Sequence, residues 1–91
     1  MGAAFPSQSA RESAIEKEIE KIDGIHGSVV VIRGSAALIG LVIETGYPDT
    51  SALKSQAALT ARQSDVNIKS TAVTCNIEIT DMIRNLKNVN R

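Results

Sequence analysis

The side chains able to do chemistry are few and scattered. His26 is the only imidazole in the chain, and it sits between Gly24 and Gly27 with no second His or Cys nearby. A general base needs a proton to take, and a metal needs three or four converging ligands, so His26 alone serves neither role. It reads as a surface turn residue. Cys75 is the only cysteine. It has no disulfide partner, no CxxC or Cys/His spacing and no neighbouring base to make it a nucleophile, so it reads as a core or edge-strand thiol.

Glu16 and Glu20 stand one helical turn apart and could share a cation, but no third ligand follows them. The spacing fits a solvated helix face better. Glu78 and Asp81 near a helix start complement the helix dipole without any catalysis. Gly34 and Gly40 form no phosphate loop. Gly34 belongs in a turn, and Gly40 inside a strand marks a bulge or a close backbone approach. Ser7, Ser9 and Ser13 lie in no G-x-S-x-G setting. Catalytic, metal and cofactor residues are therefore expected to be absent, and the chain is not expected to be an enzyme.

Composition narrows the partners. Ten basic and ten acidic residues cancel, so no positive excess exists to neutralise phosphates, and nucleic acid is not an expected partner. Phe5 and Tyr47 are the only aromatics, which leaves no stacking platform for bases or sugars. Apolar residues make up 43% of the 91 positions. That suits one ordinary domain with an aliphatic core. No run is long and apolar enough to span a bilayer, and Met1 to Ser9 lacks the pattern of a secretory signal.

The elements that would carry these residues follow from periodicity. Residues 1–8 read as a flexible lead, 9–87 as a single domain and 88–91 as a tail. Ser9 and Glu12 have capping-box spacing, and Ile15, Ile19 and Ile22 form one helical stripe. Gly24 should end that helix. From Ser28 to Ile32 the chain is β-branched, which favours a strand. Gly34-Ser35 is a two-residue turn, and the second strand runs from Ala37 to Glu44. Thr45 to Asp49 reads as a turn, and residues 51–63 as a second helix with Leu53, Ala57, Thr60 and Ala61 on one face. Asn67 to Cys75 is a third, more polar strand suited to a sheet edge. A last short helix carries Ile79, Met82, Ile83 and Leu86, capped near Asn76 or Thr80, and the chain frays from Lys87.

The expected fold is thus α/β (α+β), a small three-stranded sheet with helices packed on it in the order α-β-β-α-β-α. The first strand is expected between the other two, so that all neighbours pair antiparallel. Both faces of the hairpin are apolar, unlike a sheet with one wet face. Few residues remain to cover the second face, so Val30, Ile32, Leu38 and Val42 are the candidate interaction surface.

Several runs resemble a known family. Residues 15–25 (IEKEIEKIDGI) and 28–42 (SVVVIRGSAALIGLV) look like the YhcN/YlaJ family of bacterial sporulation lipoproteins, with ALIGL at 37–41 matching its second strand. Residues 65–74 (DVNIKSTAVT) and 76–86 (NIEITDMIRNL) are similar to its closing strand and helix. The resemblance covers roughly residues 10–87. It implies a non-catalytic structural or assembly protein of the spore envelope, acting through protein partners or self-association. Membrane proximity would come from an anchor outside these residues, since no lipobox cysteine is present. The same element order resembles the ring-building domains of sporulation channels and secretion rings, and the BON domain. The BON resemblance implies an alternative role as a membrane-surface or small-ligand binding module.

Overall fold

In the computed structural model of the chain, residues 8–46 and 50–89 are described. Most of the lead, the tip of the turn at 47–49 and the end of the tail lie outside them. The described chain forms α1 (Gln8–Ile19), β1 (Ile25–Arg33), β2 (Ala36–Ile43), α2 (Thr50–Ser64), β3 (Ser70–Thr74) and α3 (Ile77–Val89). The order α-β-β-α-β-α is therefore as expected.

Local chemistry accounts for most element ends. Gly34-Ser35 joins β1 to β2 as a two-residue turn, with Arg33 opposite Ala36. Gly34 takes φ +61°, which a side chain would resist. Asn76 caps α3 by accepting the Ile79 N–H on its Oδ1 at 3.1 Å. Two ends differ from expectation. α1 begins at Gln8, so Ser9 lies inside it, and α1 closes at Ile19. The chain then unwinds through tight turns, Ile22 N–H to Ile19 O at 3.0 Å among them, before Gly24. α3 also runs on to Val89, nearly one turn into the stretch where fraying was expected from Lys87.

The strand order is β1-β2-β3, with β1 antiparallel and β3 parallel to β2. This corrects the expectation that β1 lies in the middle. The crossover through α2 sets β3 directly beside β2, so the chain accepts one parallel pair. β2 is the right strand to bury, because Ala37, Ile39 and Leu41 point to one face and Leu38 and Gly40 to the other.

The faces are covered unequally. On the first, α1 lies over β1 and α2 over β2 and β3. They enclose the main core of Ile15, Ile19, Val30, Ile32, Ile39, Leu41, Leu53 and Ala57. On the second face α3 lies over β1 and β2 and closes a smaller cluster of Val29, Val31 and Ile83. The terminal helix thus shields much of the hairpin face that the sequence left to a partner.

Leaving β1 at an edge raises the question of its outward N–H groups. Three glutamates of α1 answer it. Glu12 Oε2 accepts the N–H of Ile32 at 2.8 Å, Glu16 Oε2 that of Val30 at 2.8 Å, and Glu20 Oε2 that of Ser28 at 3.0 Å. Four residues of helix advance about 6 Å and two residues of strand about 6.6 Å. Carboxylates at i, i+4 and i+8 therefore keep step with alternate amides of a strand running the other way. Glu16 consequently does not face water as expected; it is half-buried, and Glu12 has no exposure at all.

Candidate functional site

The residues singled out for chemistry stay apart. His26 is exposed, with Nε2 3.9 Å from a Glu44 carboxylate oxygen. Cys75 is half-buried and packs on the edge of the main core. Glu16 and Glu20 are occupied by β1. Asp81 pairs with Arg84 at 2.8 Å on the outer side of α3. Among the described residues no group of three or more His, Cys, Asp or Glu is placed to hold a metal ion.

One ion pair is distinctive. Arg11 Nε donates to Asp65 Oδ2 at 2.6 Å, tying α1 to the residue after α2. That hydrogen bond is the main reason the Asp65 carboxyl lies below its usual range. The Asn67 N–H and the guanidinium charge act in the same direction, and partial burial opposes them. The Arg11 guanidinium is held more firmly protonated by the same contact. The pair fastens two helices rather than presenting a reactive group.

The four residues expected to form a contact surface do not lie together. Val30 and Ile32 are 0% and 2% exposed beneath α1. They belong to the core, because their parity on β1 points them to the first face, and no contact from outside reaches them. Leu38 is half-buried and Val42 is 45% exposed, both on the second face. α3 crosses β2 between them at Gly40, so close that an added Cβ would lie 2.8 Å from Thr80 Oγ1 and Cγ2. Leu38 emerges on one flank of the helix and Val42 on the other.

The flank with Leu38 holds an apolar surface that sequence reasoning did not assemble. Thr80 and Ile83 face the sheet, and Lys87 turns past the β1 edge to Glu16. One residue before each of these, Ile79, Met82 and Leu86 form a parallel stripe along the side of α3. They are 46%, 64% and 40% exposed. With Leu38 and Ala72 they line a groove of about 230 Å³ between α3 and β3. Its walls are almost wholly carbon. The signal was present in the 79, 82, 83, 86 spacing, which makes the apolar arc of α3 too wide for one contact with the sheet.

No family model and no curated protein matches the chain. The groove must therefore be read from its own geometry. Its floor is the outer face of β3, where Ser70 and Ala72 are exposed. β3 ends the sheet on this side, and no carboxylate ladder like that of α1 caps its outer backbone among the described residues. Thr74 is the polar side chain among the residues that line it, and the rest are aliphatic. What it can do is bury hydrocarbon.

Proposed function

We propose that this domain is a non-catalytic structural or assembly module that works through protein–protein contact, with the groove between α3 and β3 as its contact surface. One observation carries the reading. Ile79, Met82 and Leu86 lie open to water in a single stripe, continuous with Leu38 and Ala72. Isolated exposed aliphatics are ordinary, but a contiguous strip on a small domain marks a site where something else binds. The spore-envelope setting enters the proposal through the sequence resemblance to the YhcN/YlaJ family. No helix among the described residues is long and apolar enough to cross a membrane. The strip also lacks the basic and aromatic residues that hold a helix at an anionic bilayer surface.

The experiment is site-specific photocrosslinking in sporulating cells, with the photoreactive residue at Met82 and a control at Leu59, which is exposed on α2. A discrete protein adduct at position 82 and none at 59 is the expected result. Equal labelling at both positions, or labelling of lipid alone at position 82, sinks the assembly reading. Lipid labelling favours the membrane-surface alternative.

A further inference from the structure

We propose that the open edge of β3 takes up an extended segment of another polypeptide as a fourth strand, with acidic side chains towards α2 and aliphatic ones towards α3. The proposal rests on the assembly reading and names the chemistry of the partner.

The main chain shows which groups of β3 are free. On β1 the outward N–H groups belong to Ser28, Val30 and Ile32, because Glu20, Glu16 and Glu12 accept them. Val29, Val31 and Arg33 therefore turn to β2, opposite Gly40, Leu38 and Ala36. Main-chain groups alternate in direction along a strand, so Ala37 and Ile39 of β2 face β3. Ser70 donates to the Ser35 carbonyl at 3.3 Å, and Ser70, Ala72 and Thr74 accordingly turn inward to β2. Thr71 and Val73 turn outward. β3 ends the sheet, so their N–H and C=O groups meet no strand among the described residues. β1 has its edge sealed by carboxylates, whereas β3 carries neither a charge nor a proline from Ser70 to Thr74. Such an edge is a template for pairing. A helix, whose own N–H and C=O groups are spent internally, does not answer it.

The walls on either side of that edge differ. Thr71 and Val73 share a face with α2, and Ala72 shares a face with α3. α2 turns Thr60, Gln63 and Ser64 towards α1. At 3.6 residues per turn its opposite flank carries Lys54, Ala58 and Arg62. α1 lies over β1, so this flank overhangs the outer edge of β3. It carries two cations and no carboxylate, and Lys69 is exposed at the start of β3. The α3 side offers Ile79, Met82 and Leu86. Residues of an added strand opposite Thr71 and Val73 point to the basic flank, and the one opposite Ala72 points to the aliphatic stripe. Acidic and aliphatic residues in alternation satisfy both. A second copy pairing β3 with β3 about a two-fold axis brings Lys54 and Arg62 of one α2 towards Arg62 and Lys54 of the other, like charge against like.

The test is amide NMR of the ¹⁵N-labelled domain titrated with the blocked peptide VEVEVEV. Saturable shifts at Thr71, Ala72 and Val73, weakened by salt, are the expected result. The peptide VKVKVKV should bind at least about tenfold more weakly. Its glutamates turn their N–H groups to β3, so methylating the glutamate nitrogens should abolish binding, and methylating the valine nitrogens should spare it. Arg62→Glu, at an exposed position, should keep the circular dichroism of the fold, lose VEVEVEV and gain VKVKVKV. No binding of VEVEVEV, equal binding of the two peptides, or the opposite response to methylation overturns the proposal. So do the same shifts on concentrating the domain alone. If VEVEVEV fails while the Met82 crosslink persists, the strand proposal falls and the assembly reading stands. If the crosslink is also absent, both fall.

Discussion

Lys87 Nζ donates to Glu16 Oε2 at 2.5 Å, a contact that joins the last turn of α3 to the middle of α1 around the outside of β1. The same carboxylate oxygen accepts the Val30 N–H at 2.8 Å. Helices on opposite faces of the sheet are thereby fastened over one edge. Both side chains are about one-fifth exposed, so the pair is better shielded than a surface ion pair. Lys87→Met keeps the aliphatic stem and removes the charge. It should lower unfolding free energy by about 1 kcal/mol. Urea unfolding of K87M, E16Q and the double variant measures this. The double variant should lose less than the sum of the two, and strict additivity would show that the two groups do not interact.

Glu12 seals the same edge at its buried end. Replacing it with leucine fills the space with carbon but withdraws an acceptor from the Ile32 N–H, where water has no access. An orphaned buried donor costs about 1–3 kcal/mol. Glu12→Gln retains an oxygen for that amide and should cost less than Glu12→Leu. Hydrogen exchange at Ile32 is the specific reading: it should quicken in E12L with less change in E12Q. Equal protection in all three proteins would mean that the glutamate does not hold the edge.

Much of the backbone plan was readable in advance because it is local. The Ile15, Ile19 pair, the Gly34-Ser35 turn and the Gly40 close approach each depend on residues near in sequence, and each has its expected place, whereas Ile22 falls past the end of α1 in the turns that follow it. Strand order did not, because it is decided by partners far apart. Antiparallel pairing is the commoner choice, and the edge place that β1 takes instead is met by Glu12, Glu16 and Glu20. Glu16 and Glu20 read as a wet helix face, and Glu12 as a capping-box residue with Ser9, when only their own helix is considered. Their spacing of four, beside the isoleucine stripe and ahead of an alternating strand, was the available sign that they answer backbone amides instead. The contact surface was misplaced for the same reason. Val30 and Ile32 are apolar on a strand whose inward parity only the packed helices reveal, while Ile79, Met82 and Leu86 were read only as marks of a last helix, with no face assigned to them.

Acid should loosen the link between α1 and the end of α2. The Asp65 carboxyl is held below its ordinary range chiefly by the hydrogen bond from Arg11. A group with a depressed folded pKa stabilises the fold above its unfolded pKa, about 3.9 for Asp. That contribution fades as pH falls through the lower folded value. Asp65→Asn should therefore be less stable than the parent at pH 7 and at pH 5, with the gap closing progressively below about pH 4. Urea midpoints of both proteins at pH 7, 5, 4 and 3 check it. A gap unchanged from pH 7 to pH 3 would remove Asp65 as the titrating group.

Thr80 and Gly40 make the tightest point between α3 and the sheet, and they separate two effects that a single substitution would blend. A Cβ at position 40 would stand 2.8 Å from Thr80 Oγ1 and Cγ2 and 3.0 Å from its Cβ. Thr80 is only 3% exposed and β-branched, so it has little room to turn away. Gly40→Ala should push α3 off the sheet and cost about 1–3 kcal/mol, the range for overpacking. Combining it with Thr80→Ala removes two of the three crowding atoms, and the pair should be more stable than the sum of the single changes implies. Thr80→Val acts in the opposite direction. The Thr80 hydroxyl is buried with no hydrogen-bond partner, so an isosteric methyl removes an unpaired polar atom while keeping the shape. It should raise stability by about 1 kcal/mol. Thermal and urea unfolding of G40A, T80A, T80V and G40A/T80A decide the matter together. A destabilised T80V would mean that the hydroxyl has found an acceptor, and an additive double variant would mean that α3 does not rest on Gly40.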